Sequence, residues 1–193
     1  MGAQVHGTQE YNKSKRAGIK FNEDAMKIVQ KLISNYPEGK HKSALIPILH
    51  VAQAEFGGWL SAETMDYVAS ILKIQPIEVF EVASFYSMFN LKPVGKCVLD
   101  VCQTSSCWLS GAEDIVKYIE KKLNIKVGET TKDGMFTLKV AACLGSCGTA
   151  PMMQCGASFH EKLTYDKVDS ILDKYKAEGK QRNYTDLDYK NTL

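Results

Sequence analysis

Six cysteines, Cys97, Cys102, Cys107, Cys143, Cys147 and Cys155, all fall in the middle of the chain. Four of them form two spaced pairs. Gln103-Thr104-Ser105-Ser106 separates Cys102 from Cys107, and Leu144-Gly145-Ser146 separates Cys143 from Cys147. A chain of 193 residues can bury a core without covalent staples. The first twenty residues also lack the apolar run of a secretory signal. Clustered thiols in such a chain read as metal ligands or redox groups before they read as disulfides. Each pair follows a β-type run: Cys97-Val98-Leu99-Asp100-Val101-Cys102 before the first, and Phe136 to Ala142 before the second. If those strands are neighbours, all four thiols converge at one sheet edge.

The spacing leaves several chemistries open. Four thiolates in Gly-, Ser- and Thr-containing loops suit an iron–sulfur site, most simply a [2Fe–2S] cluster with two cysteines per iron. A structural four-cysteine zinc site uses the same donors, although its knuckles most often hold two intervening residues. Four small buried hydrophobes are the plainest alternative. A dithiol redox enzyme would want a Cys-x-x-Cys, which the chain lacks.

The rest of the sequence divides in two. Residues 1–20 are polar and read as a loose arm. Residues 21–90 carry helical periodicity: Asn22 and Ser61 are placed as N-caps, a second helix spans Ser43 to Phe56, and Pro76 opens a fourth. Short connections between four such helices predict an antiparallel four-helix bundle. The aromatic stretch Phe80 to Phe89 is most simply expected in its core, with any exposed part a surface on which a partner could dock. Leu91-Lys92-Pro93-Val94-Gly95 reads as a linker. Residues 91–178 alternate strand and helix, with a capping box at Ser110 to Glu113, a hairpin of Val127–Thr130 with Phe136–Ala142, a short strand at Pro151 to Cys155, and a final helix opened by Thr164. The fold class is therefore α/β, a helical bundle followed by a small-sheet domain, with a polar tail over 179–193.

Composition narrows the function. Twenty-four Lys and Arg against 22 Asp and Glu give a net charge of +2, which offers no basic footprint for nucleic acid. No apolar run approaches the length of a membrane span, so no direct membrane insertion is expected. His6, His41, His50 and His160 are scattered, and Asp100 and Glu113 suit a strand end and a cap. No acid–base centre is assigned. Cys97 and Cys155 are expected as buried small side chains, and Trp108 as a packing residue beside the thiols.

Several separated blocks also carry a family likeness. Cys102-Gln103-Thr104-Ser105-Ser106-Cys107 with Gly111-Ala112-Glu113, Cys143-Leu144-Gly145-Ser146-Cys147 with Pro151, and the upstream run Pro76 to Phe89 with Pro93-Val94-Gly95 resemble the 24 kDa [2Fe–2S] protein family (in bacteria, the E component) of NADH:quinone oxidoreductase, respiratory complex I. The likeness covers about residues 22 to 176. It implies a thioredoxin-like [2Fe–2S] ferredoxin domain behind the helical bundle. It also implies one [2Fe–2S] cluster of the N1a type on Cys102, Cys107, Cys143 and Cys147, exchanging electrons with the FMN of a partner NADH-binding flavoprotein. Ser105, Ser106 and Ser146, with the N–H groups of Leu144 to Gly148, are then expected to surround the sulfurs. Other peripheral-arm subunits would be further partners, at the cytoplasmic side of a bacterial inner membrane. A homologous subunit of an NAD-linked hydrogenase or formate dehydrogenase would share these features. Cys155 stands where an apolar residue is expected.

Overall fold

The computed structural model describes residues 18–181. The arm over residues 1–17, with His6, and the tail over 182–193 lie outside the described residues.

Four helices come first: α1 (Glu23–Ser34), α2 (Leu45–Glu55), α3 (Ala62–Leu72) and α4 (Pro76–Phe85). The expected caps form. Asn22 Oδ1 accepts the Ala25 N–H at 2.8 Å, and Ser61 Oγ accepts the Thr64 N–H at 3.1 Å. Pro76 occupies the first turn of α4, where Glu78 also reaches back to the Gln75 N–H at 2.8 Å. The second helix starts two residues later than expected, because His41–Ala44 winds as a 3-10 turn. Pro47 then sits third in α2, where its missing N–H has no helical acceptor to lose.

These helices share one core. Val29, Ile48, Leu49, Val68 and Val79 are fully enclosed in it. The aromatic stretch departs from expectation. Phe89, Val79 and Ala83 are buried, yet Ile77, Phe80, Phe85 and Tyr86 are exposed, Phe85 at 80%. α4 carries large apolar side chains on more than one side, and only the side with Val79 and Ala83 turns inward.

The second half holds β1 (Cys97–Cys102), α5 (Ser105–Leu109), α6 (Ala112–Leu123), β2 (Phe136–Ala141), β3 (Met153–Cys155), β4 (Ser158–His160) and α7 (Tyr165–Glu178). The sheet order is β2-β1-β3-β4. β1 and β2 run parallel, Cys97 opposite Phe136 through Cys102 opposite Ala141. β3 pairs antiparallel with β1 and with β4. A second core forms around Leu99, Leu138, Ile119, Met153 and Val168. Tyr118 and Lys122 of α6 both donate to Asp169 of α7, at 2.8 and 2.9 Å, tying those two helices.

Three local expectations are corrected. The Ser110 capping box does not form: Ser110 ends α5, and Gly111, at φ +88°, starts α6 in its place. The arm Val127–Thr130 pairs with β2 as expected but forms no regular strand: the Gly128 N–H donates to the Leu138 carbonyl at 2.7 Å, the Leu138 N–H to the Glu129 carbonyl at 3.1 Å, and one bridge joins Thr130 to Thr137. Gly128 at φ +90° and the bond from the Glu129 N–H to the Lys126 carbonyl curl that segment into a turn. The short strand expected from Pro151 begins only at Met153, and β4 was not foreseen.

The chain just before the expected linker at 91–95 is tied down on both sides. Asn90 donates its side-chain N–H to the Gly58 carbonyl at 2.9 Å, and its backbone N–H goes to Gln53 Oε1 at 2.7 Å. Lys139 of β2 donates to the Ser87 carbonyl and to Asn90 Oδ1, at 2.9 and 3.1 Å, with the Asp100 carboxylate 4.0 Å away. One lysine thus ties the helical half to the sheet.

Candidate metal centre

The parallel register of β1 and β2 decides where the thiols go. Cys102 is the last residue of β1 and lies opposite Ala141; Cys143 follows two residues beyond Ala141. Both cysteine loops therefore leave the sheet at the same edge, side by side. The Gln103 N–H donates to the Ala141 carbonyl at 3.0 Å and the Cys102 N–H to the Met152 carbonyl at 3.1 Å. These bonds hold the end of β1 between its two neighbours.

Cys107 does not lie in an open loop, as the spacing suggested, but on the short helix α5. That helix folds its cysteine back toward Cys102. Both thiols are buried, with Ala112 and Met152 around them and Leu144 and Ala150 packed alongside. Burial pushes the Cys107 thiol up from its ordinary pKa, with Cys102, by hydrogen bond and by charge, and Cys147 adding to the rise. A backbone hydrogen bond from Met152 pulls the other way, since it favours the thiolate. Cys107 is thus close enough to Cys102 and to Cys147 to feel both electrostatically.

Cys143 and Cys147 are exposed. Cys147 opens a 3-10 turn, Cys147–Thr149. Gly145 adopts φ +77°, a conformation that only glycine takes without strain. Among the described residues, no three His, Cys, Asp or Glu side chains converge on the spacing of a single metal ion. The donor set consists of two enclosed and two open thiols, divided between adjacent loops. That composition fits a two-iron core, which takes two thiolates at each iron.

Trp108 and Ser146 depart from expectation. Trp108 is 55% exposed, because each helical step turns the next side chain by about 100° and Cys107 already faces inward. The Ser146 hydroxyl does not turn to a sulfur. It donates to the Glu161 carboxylate, which also accepts from Thr149 at 2.6 Å. Glu161 was missed from the sequence, because only the β3–β4 hairpin brings it to the cysteine loop. Cys97 and Cys155 lie buried in the sheet core as expected. Of the histidines, His50 is held below its ordinary pKa by burial and rests its ring 4.9 Å from Phe89, while His160 Nε2 meets the Tyr175 hydroxyl at 2.5 Å. Among the described residues, no helix is long and apolar enough to cross a membrane.

A family profile described as thioredoxin-like [2Fe–2S] ferredoxin matches residues 29–176. The chain belongs to this family. As a thioredoxin-like [2Fe–2S] ferredoxin, it has a [2Fe–2S] cluster as its cofactor class. The E component of NADH-quinone oxidoreductase from Rickettsia conorii is 44% identical over 161 residues, covering 83% of this chain and 96% of that protein. Its counterpart from Rickettsia felis is 44% identical over 155 residues, covering 80% and 93%. The mitochondrial NADH dehydrogenase [ubiquinone] flavoprotein 2 of Dictyostelium discoideum is 44% identical over 156 residues, covering 81% of this chain and 63% of that protein. These relatives are parts of oxidoreductase complexes. Among solved structures, an NAD+-reducing [NiFe]-hydrogenase in its air-oxidized state superposes with a TM-score of 0.61 at 20% identity. The match covers 69% of this chain and 23% of the hydrogenase chain, and at that identity it speaks to the fold alone.

Proposed function

We propose that this chain is the electron-carrying E component of an NADH:quinone oxidoreductase, with a [2Fe–2S] cluster of the N1a type held by Cys102, Cys107, Cys143 and Cys147. Its electron partner is the FMN of an NADH-binding flavoprotein subunit, and other peripheral-arm subunits attach it to the inner membrane on the cytoplasmic side. Residues 21–90 form a four-helix bundle domain and residues 91–178 the ferredoxin domain. The observation that carries this reading is the paired register of β1 and β2, which sends two cysteine loops from one sheet edge. The likeness to the Rickettsia proteins over most of the chain supports the quinone-reducing complex over the hydrogenase alternative.

When bound, the cluster supplies a one-electron redox centre. The chain's residues give that centre two unlike sides. Cys102 and Cys107, with Ala112 and Met152, form an apolar wall that excludes water. The Met152 backbone hydrogen bond stabilises negative charge on the Cys107 sulfur. Cys143 and Cys147 face outward and leave the open side to a partner. Because no substrate-binding or acid–base group lies among these residues, the chain works only within its complex.

The test is an EPR spectrum of anaerobically purified protein before and after dithionite, with iron and zinc quantified on the same sample. A rhombic S = 1/2 signal appearing only on reduction, with about two irons per chain, is expected. One zinc per chain and no such signal would overturn the reading in favour of a structural metal.

A further inference from the structure

Glu161 directly follows β4 and meets the loop that carries Cys143 and Cys147. One carboxylate oxygen, Oε1, accepts both the Ser146 hydroxyl and the Thr149 hydroxyl, the latter at 2.6 Å. The two hydroxyl oxygens lie 2.7 Å apart, and their residues bracket Cys147 and Gly148. Backbone bonds run alongside: the Lys162 N–H donates to the Thr149 carbonyl at 2.7 Å, and the Leu163 N–H to the Pro151 carbonyl at 2.9 Å. The Glu161 carbonyl accepts from Lys167 Nζ at 2.5 Å, which ties the same residue to the first turn of α7.

We propose that Glu161 is a positioning residue, a latch that fixes the Cys147 thiol by gathering the hydroxyls on either side of it onto one acceptor. An ionised carboxylate can only accept, and its hydrogen bonds from hydroxyls are stronger than neutral ones. The Ser146 and Thr149 hydroxyls also hold the Glu161 carboxyl below its ordinary pKa, as expected of a carboxylate so engaged. Backbone bonds shape this loop, but its glycines at 145 and 148 add no side-chain packing, and a Cβ built on either meets nothing within 4 Å. The latch therefore does locally what buried packing does for Cys102 and Cys107. Its value for cluster binding rests on the reading of Cys147 as a ligand, whereas the ordering of the loop is a property of the chain itself.

The two parts separate experimentally. In the full-length chain with iron removed and thiols reduced, iodoacetamide labelling is followed at Cys147 relative to Cys143 by peptide mass spectrometry. Glu161→Ala should raise the Cys147 to Cys143 rate ratio about tenfold, the effect of losing roughly one net hydrogen bond of local order. Glu161→Gln should leave it within about twofold, because the amide oxygen still offers two lone pairs to the same hydroxyls. The paired change Ser146→Ala with Thr149→Val should reproduce Glu161→Ala, and it serves if that variant does not fold. An unchanged ratio in both disrupting variants would overturn the latch. Equal rises in the Gln and Ala variants would overturn it too, by assigning the effect to charge. In iron-loaded protein, the reduced EPR signal should broaden in Glu161→Ala and keep its shape in Glu161→Gln. A wild-type chain lacking two irons would sink the cofactor site while leaving the labelling result to stand or fall separately.

Discussion

Gly95 offers the sharpest test of how the sheet edge is built. It precedes β1 by two residues, and a Cβ placed there meets the Met135 and Phe136 backbone carbons at 2.9 Å and the Met135 carbonyl oxygen at 3.0 Å. Comfortable carbon–carbon contact lies at about 3.5–4.0 Å, so Gly95→Ala overlaps three backbone atoms that cannot swing aside. Relief requires β1 and β2 to part at their first rung. Three hydrogen bonds stand there: Gly95 N–H to Thr137 Oγ1 at 2.7 Å, Cys97 N–H to the Met135 carbonyl at 2.8 Å and Lys96 N–H to the Gly134 carbonyl at 3.0 Å. At about 1 kcal/mol each, loosening two or three of them costs about 2–3 kcal/mol. Replacing glycine returns about 0.4–1 kcal/mol by restricting the unfolded chain. The net expectation is a loss of about 1–3 kcal/mol, which for a chain of this size lowers Tm by about 2–10 °C. Urea unfolding followed by circular dichroism measures it, with Gly148→Ala as comparison, because that position has open space and no positive φ. A Gly95→Ala protein as stable as wild type would show that the start of β2 yields, and the close-approach argument would fail.

Other expectations follow from single contacts. Cys102→Ser, at a buried thiol on the apolar wall, should abolish the reduced EPR signal and the two-iron stoichiometry, and retention of both would remove Cys102 from the ligand set. Lys139→Met should cost about 1–2 kcal/mol, chiefly by leaving Asn90 Oδ1 without this donor, read as a lower urea midpoint; wild-type stability would mean the bridge between halves is idle. Leu99→Ala, fully enclosed in the sheet core, should destabilise by about 2–5 kcal/mol in the same assay, and a loss under about 1 kcal/mol would mean the site collapses freely. Asp169 is held below its ordinary pKa by Lys122 first and Tyr118 second. A carboxylate depressed in the folded state contributes stability above its unfolded pKa, about 3.9, and loses it as pH falls through the lower folded value. Asp169→Asn should therefore flatten the decline of the urea midpoint below about pH 4, and parallel wild-type and variant curves would contradict that.

Local chemistry was readable wherever it depends on neighbours in the chain. Asn22, Ser61 and Thr164 cap helices because each offers an oxygen to an N–H three residues on, a distance set by covalent geometry. The amphipathic face of α6, with Ile115, Val116 and Ile119 buried, follows from the helical period in the same way. The cysteine pairs were conspicuous for a like reason: their short spacings keep each pair within one loop whatever the rest of the chain does. Ser110 failed as a cap because α5, too short to announce itself by period, had already claimed it as a terminus.

The amino-acid order by itself therefore determined the longer helices, the strands before the two thiol pairs and the pairs themselves. It could not say that Cys102 and Ala141 stand opposite each other, since a parallel register joins residues far apart in sequence and is settled by packing α6 and the sheet into one core. Nor could it sort the four thiols into two enclosed and two open, or send the Ser146 hydroxyl to Glu161, because both outcomes depend on which surfaces meet in three dimensions. Side-chain partners beyond a turn or two of chain are chosen by the burial of apolar surface, which acts on the whole fold at once.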